Sequence, residues 1–188
     1  MKVNRIMIVA VFALAGLAVT AFAFPWSGGA AAQNPCSGFS ALSGLTPEEE
    51  AHLVYMREEE KLARDVYLTL YSVWNVPIFS NIAQSEQRHM DALKRMIDKY
   101  NVTDPIVSND VGVFSNPLFT KLYKLLVRVG SKSPAWGYMV GVAIEKLDIK
   151  DLEDALAETT KQDLTNVYTN LMAGSYNHLA AFLAQLGM

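Results

Sequence analysis

Four stretches of this chain repeat apolar residues alternately three and four apart, the spacing that gives a helix one buried seam. Each seam carries ionisable residues near its middle. On the second stretch it runs Phe79, Ile82, Glu86, His89, Leu93, Met96, Tyr100. The first gives Leu53, Met56, Glu60, Ala63, Tyr67, Leu70, Trp74, and the third Tyr138, Gly141, Glu145, Asp148, Leu152, Ala155. The fourth gives Leu164, Tyr168, Leu171, Ser175, His178, Phe182, Gln185. Such a chain has few ways to fold. Its helices must pack seam to seam, and the packed core must then accommodate carboxylates and imidazoles.

Helix signals set the boundaries, and strand signals are scarce after residue 46. Thr46-Pro47-Glu48-Glu49 supplies an N-cap, a proline at the first helical position and a capping-box glutamate. The first helix is predicted from there to about Trp74, where Asn75-Val76-Pro77 breaks it. The second is predicted from about Ser80 to Tyr100. Residues 101–116 read as irregular, and a shorter helix is predicted from Pro117 to Val129, stopped by Gly130. Ser133-Pro134 opens the third long helix, which reaches about Glu158. Thr160-Lys161-Gln162-Asp163 resembles a further capping box, and the last helix continues to about Leu186. Short connections make neighbours antiparallel, and the long connection in the middle allows a crossover. The expected fold is all-α: a four-helix bundle over residues 46–188, with a long crossover carrying a short extra helix.

Ahead of this domain, Met1 to Arg5 carries Lys2 and Arg5, and Ile6 to Phe24 carries no charge. Ala21-Phe22-Ala23 and Ala30-Ala31-Ala32 both fit a small-x-small cleavage site. Residues 1–24 read as a secretory signal peptide or as an uncleaved membrane anchor. The run is long for a signal core and slightly short of a full span, so both stay open. Residues 25–45, rich in proline and glycine, read as a linker. The expected location is extracytoplasmic, secreted or anchored in the cell membrane through residues 6–24. The formal net charge is −3, and −5 once residues 1–23 with their two basic groups are removed. No basic cluster is present, so nucleic acid is not an expected partner. The one cysteine, Cys36, lies in the linker. It can form neither an internal disulfide nor a four-thiolate iron site.

Taken singly, the seam residues say little. A Glu-x-x-His pair on a helix is usually solvated or hydrogen-bonded. The Glu58-Glu59-Glu60 run leaves its register open, because Glu59 lies on a rival stripe with Tyr55, Leu62, Val66 and Val73. Asp148 reads either as a site residue or as a helix cap or kink. Arg57, Lys61 and Arg64 are expected outside the site, paired with the other glutamates. His52 falls beside the seam and is expected to be exposed.

Together they say more. Glu60, Glu86, Glu145 and Asp148 would put four carboxylates in one core. Burying one unpaired ion costs several kcal/mol, against the roughly 5–15 kcal/mol that holds a domain together. Two divalent metals would neutralise all four and leave His89 and His178 as neutral ligands. Carboxylate oxygen with imidazole nitrogen suits iron or manganese. The absence of thiolates argues against structural zinc.

The stretches "YMREEEKLARDVY", "NIAQSEQRHMDAL", "IEKLDIKDLE" and "GSYNHLAAF" carry a resemblance to the ferritin-like di-iron carboxylate proteins. The spacing Glu60-x-x-Ala63-x-x-x-Tyr67 looks like that of rubrerythrins. Most closely, the domain resembles an uncharacterised ferritin-like family, a domain of unknown function, over residues 46–188. The resemblance implies one Glu on each of two helices and Glu-x-x-His on each of the other two. Glu60 and Glu145 match the first kind, Glu86 with His89 the second, and His178 the remaining histidine. Ser175 stands where the last Glu is expected, and Asp148 reads as its replacement.

The resemblance further implies two irons per chain, with manganese as the alternative, and an oxidoreductase reacting with oxygen or peroxide as a ferroxidase or peroxidase. With no cysteines for a fused rubredoxin-type centre, its electrons would come from an external donor. Ser175 and the export segment favour an alternative, a non-catalytic protein that binds or sequesters iron or another divalent metal ion at the cell envelope. Oligomeric state stays open, a homo-oligomer included. Gly141 and Gly174 either leave room for a bound oxidant or let helices approach. Tyr67, Tyr138 and Tyr168 read as packing residues.

Overall fold

The computed structural model describes residues 43–188. The expected signal or anchor segment, most of the linker and Cys36 lie outside these. The described chain forms α1 (Pro47–Trp74), α2 (Pro77–Lys99), α3 (Pro117–Gly130), α4 (Pro134–Glu158) and α5 (Gln162–Gln185). The described residues contain no strand and no helix long and apolar enough to cross a membrane. The fold is the expected all-α bundle of four long helices and one short one.

The helix ends follow from local chemistry, with three corrections to the expected boundaries. α1 opens on the capping box of Thr46 and Glu49 and closes at Asn75, which takes the left-handed conformation at φ 51°. α2 begins at Pro77 rather than Ser80, because a proline at the first helical position loses no hydrogen bond. Gly130 ends α3 without being a left-handed stop, since the cap residue is Ser131. A Cβ there would lie 2.8 Å from Leu70 Cδ2, so the glycine serves a close approach of α3 to α1.

The capping box expected at Thr160 does not form; the N-cap of α5 is Lys161, with no side-chain cap. Instead the Thr160 N–H donates to Glu49 Oε1 at 2.8 Å, while Glu49 Oε2 accepts from Thr46 N–H at 2.9 Å. Glu49 thus caps α1 and pins the α4–α5 turn.

Residue pairings fix the topology. Arg57 and Arg64 of α1 meet Met90 and Gln87 of α2, so these helices are antiparallel. Glu145 and Asp148 of α4 meet His178 and Ser175 of α5 in the same sense. Glu86 of α2 meets His178, and Lys99 meets Asp163, so α2 and α5 are antiparallel too. It follows that α2 and α4 are parallel. The chain between them must climb the length of α2, roughly 35 Å at 1.5 Å per residue. α3 and the irregular residues 100–116 make that climb.

Two apolar layers fill the bundle. One holds Leu62, Val66, Tyr67, Leu70, Phe79, Ile82, Val140, Ile144 and Phe182, with Phe119 and Leu126 of α3. The other holds Leu53, Met56, Leu93, Ile97, Leu152, Leu164, Tyr168 and Leu171. Between them, in register across all four long helices, lie the ionisable seam residues.

Candidate metal centre

α1 passes through the interior so completely that every residue from Arg57 to Tyr67 is buried. Its charged residues therefore face in several directions, and the directions differ in what they meet. Lys61 donates to Asp65 Oδ2 at 2.5 Å and to the Asp110 carbonyl at 2.8 Å. Arg64 donates to Asp65 Oδ1, Gln87 Oε1 and Asn109 Oδ1. Glu58 Oε1 accepts from the N–H groups of Ser115 and Asn116, and Arg57 reaches Asp104 and the Met90 carbonyl. The basic residues thus pair with aspartates and loop groups, not with the neighbouring glutamates as expected. His52 is partly exposed and pairs with Glu158 at 2.9 Å.

Glu60 faces the polar layer. Its Oε2 lies 3.2 Å from His89 Nδ1, and that nitrogen is 2.9 Å from Glu86 Oε2. The other oxygen of Glu86 lies 2.9 Å from His178 Nδ1, which is 3.4 Å from Glu145 Oε2. The two imidazole rings are stacked, 5.5 Å between centroids. Two sets result, Glu60–Glu86–His89 and Glu86–Glu145–His178, each with ligand atoms within 4.8 Å of one another. Glu86 belongs to both. Bonds of about 2.0–2.2 Å to nitrogen or oxygen place two ligands of one ion at most about 4.4 Å apart, so either set can close on a metal with small side-chain shifts.

The polar atoms of this layer are poorly satisfied by the protein itself. Glu60 Oε1, Glu86 Oε1, Asp148 Oδ1 and His178 Nδ1 are buried without a hydrogen-bond partner. Glu86 Oε1 and His178 Nδ1 are close, yet not aligned for a hydrogen bond. Buried atoms that approach this closely without a hydrogen bond fit a shared cation. Buried polar groups otherwise find partners.

Burial and ionic contacts set the protonation of this layer. Burial would raise Glu86, but the two imidazoles outweigh it and bring it down to about 2. Burial would lower His89, but Glu60 and Glu86 push it up to about 11. His178 rises in the same way to about 10, through Glu145 and Glu86. Burial lifts Glu60 to about 7. Burial and the Glu86 charge lift Glu145 to about 8.

Asp148 lies beside this layer, outside both sets. The Ser175 hydroxyl donates to its Oδ2, and also lies 3.1 Å from the Leu171 carbonyl. Asp148 is thus not a helix cap; it sits mid-helix with one oxygen held and one unpartnered. Glu59 is equally buried but turns away from His89, toward Asp148 and Asp151. Between Met56 and Tyr67 both stripes of α1 are therefore interior, and Glu60 is the one that joins a candidate ligand set.

These observations can be set beside known proteins. Residues 49–187 match the family described as an uncharacterized protein domain, DUF2202. The chain belongs to the DUF2202 family. It is 54% identical over 142 residues to the uncharacterized protein MJ0754 of Methanocaldococcus jannaschii, covering 76% of this chain and 77% of that one. The crystal structure of hypothetical protein MJ0754 superposes with a TM-score of 0.75, over 76% of this chain and 82% of that chain.

In this DUF2202 domain two site features escaped the sequence. The Tyr67 hydroxyl donates to Glu145 Oε1 at 2.6 Å, so Tyr67 orients a site carboxylate as well as packing. Only its place on the seam two turns after Glu60 signalled this. The glycines do not leave free space. A Cβ on Gly174 would meet His89 Nε2 at 2.6 Å, and one on Gly141 would meet the Phe182 ring at 2.5 Å. Gly174 makes room for the imidazole itself.

Proposed function

We propose that this protein is an exported, ferritin-like di-metal carboxylate protein that binds two irons and reacts with oxygen or peroxide as an oxidoreductase. The observation that carries this is the pair of buried ligand sets sharing Glu86, with unpartnered atoms on Glu60, Glu86 and His178. Glu60 and His89 would hold one ion and Glu145 and His178 the other, with Glu86 between them. Asp148, through its unpartnered oxygen, is the sixth candidate ligand. Bound iron would supply one-electron redox chemistry and Lewis acidity toward an oxidant. The chain's own part is to fix the carboxylates and exclude bulk water. Tyr67 holds Glu145, Ser175 holds Asp148, and the apolar layers close the centre above and below. Electrons would come from an external donor, and the charge-free run after Arg5 supports export or anchoring.

The test is to load the metal-free protein with ferrous iron without oxygen, remove the excess and count metal, then add oxygen or peroxide. About two irons per chain are expected, with turnover lost in Glu86→Ala and His89→Ala. Unchanged turnover in those variants would refute the reading. Ser175, in place of a second bridging carboxylate, favours a second reading: a protein that binds or sequesters the ion without turnover. Tight binding with no reaction toward either oxidant would select it.

A further inference from the structure

Helix α4 carries Glu145, Asp148, Asp151 and Asp154, each three residues after the last. Three residues fall about 60° short of a full turn and rise about 4.5 Å. The row therefore winds around α4 as it advances, from the core-facing side to the outside. Burial follows the winding. Glu145 is 1% exposed and Asp148 4%, Asp151 is half-buried, and the Asp154 side chain is 40% exposed and paired with Lys150.

A second helix faces the middle of this row. Glu59 of α1 is 2% exposed, and neither of its oxygens has a hydrogen-bond donor. Its acidic neighbours are Asp151, Asp148 and Glu60, and the Tyr55 hydroxyl lies close by, against Asp151. On its other flank lies a cavity of about 40 Å³ lined by Tyr55, Leu62, Leu122, Leu126 and Ile144. Two carboxylates side by side cannot hydrogen-bond unless a proton or a cation sits between them. No lysine or arginine of α1 serves Glu59, because Arg57, Lys61 and Arg64 are all engaged elsewhere. Among the described residues, the compact ligand sets are the two at the centre. Glu59 and Asp151 belong to neither set.

We infer that Asp154, Asp151 and Glu59 form a route by which divalent metal ions pass from the surface to Asp148 and the two ligand sets. The inference rests on the di-metal reading and adds how the ions arrive. Each ion is handed from Asp154 to Asp151, one helical step along α4, then across to Glu59 of α1 and on to Asp148. Aligned acids of one sign concentrate counter-ions and raise their association rate by roughly ten- to a thousand-fold. A conducting residue of this kind sets the rate of loading and leaves the final occupancy untouched.

The experiment is stopped-flow mixing of the metal-free full-length protein with cobalt(II), followed by its visible absorption, with metal per chain counted at the end. Asp151→Asn and Glu59→Gln are compared with Glu153→Gln, an exposed acid on the same helix but off the route. Each variant replaces a carboxyl by an amide of nearly the same shape, and helical circular dichroism checks folding. Loading about ten-fold slower or more in Asp151→Asn and Glu59→Gln, with unchanged final stoichiometry and an unaffected Glu153→Gln, is the expected result. Equal rates in all variants would overturn the route while leaving the centre in place. A reduced final stoichiometry would overturn it by making Glu59 or Asp151 a resident ligand. No binding by the wild-type protein would overturn the di-metal reading and the route with it.

Discussion

Two sides of α1 bury the same kinds of residue to opposite effect. On one side Arg57, Glu58, Lys61, Arg64 and Asp65 are all partnered, and their partners are largely the crossover: Asp104, Asn109, Asp110, Gly112, Ser115 and Asn116. On the other, Glu59 and Glu60 retain oxygens without partners. The first side is structural: burial of charge is offset by complementary charge and by backbone groups that would otherwise be stranded. The second lacks its complement among the described residues, a lack that a bound cation would fill. Burial alone does not separate a scaffold from a site; satisfaction does.

The comparison breaks most severely at Asp65. Asp65→Ala strands Lys61 and Arg64 in the interior, and a loss of about 3–5 kcal/mol is expected in urea unfolding, with or without iron. Glu60→Gln is its counterpart. It keeps the size of the side chain and removes the charge that faces His89, so the metal-free protein should lose less than Asp65→Ala does, about 1–3 kcal/mol. What disappears is the gain from metal, about 2.7 kcal/mol for one site at a hundred times its dissociation constant. Melting curves of both variants with iron and with chelator distinguish the two sides. Equal responses to iron would refute the distinction.

pH sharpens it further. Glu60 and Glu145 stand at about 7 and about 8 in the folded state, against an ordinary 4.5. A group raised on folding contributes stability below its unfolded value and loses it as pH climbs through the folded value. His89 and His178, raised from 6.5 to about 11 and about 10, act in the same direction at higher pH. Glu86, lowered to about 2, opposes them only below 4.5. The metal-free protein should therefore lose stability from about pH 5 to about 11, and bound metal, which displaces those protons, should reverse the slope. Thermal melts across that range, with chelator and with iron, read it directly.

The smallest expected effect is at Tyr67. Tyr67→Phe removes one hydrogen bond to Glu145 and should cost about 1 kcal/mol without metal. Loss of such a supporting partner lowers metal affinity by roughly 10- to 100-fold. Titration at the second ligand set would show it, and an unchanged affinity would make Tyr67 a packing residue only.

Much of this was legible in the chain. Apolar spacing named the buried residues of α5 from Leu164 to Phe182, and only Gln185 at the frayed end is exposed. The seam on α2 drifted where a 3.5-residue repeat departs from a straight helix: Ile97 is buried and Met96 only partly so. Register on α1 was not legible, since both stripes are interior and a charged residue gives no hint of its direction. Nor was the crossover, whose shape depends on hydrogen bonds from Glu58, Arg64 and Asp65 rather than on any periodic pattern of its own. Side-chain partners such as Ser175 with Asp148 lie on different helices, and no local spacing encodes them.

The two ligand sets differ in how far apart their residues lie along the chain. Glu60, Glu86 and His89 all come from the hairpin of α1 and α2. Glu145 and His178 belong to the hairpin of α4 and α5, and they meet Glu86 only when the two halves dock. Local contacts form before distant ones, because closing a longer loop costs more entropy. By that ordering the first set would be complete once α1 and α2 pair, and the second only in the finished bundle. An ion captured early on the first hairpin would leave Glu86 ready to receive the second half. Connectivity thereby gives a nearly symmetric centre a temporal order of assembly.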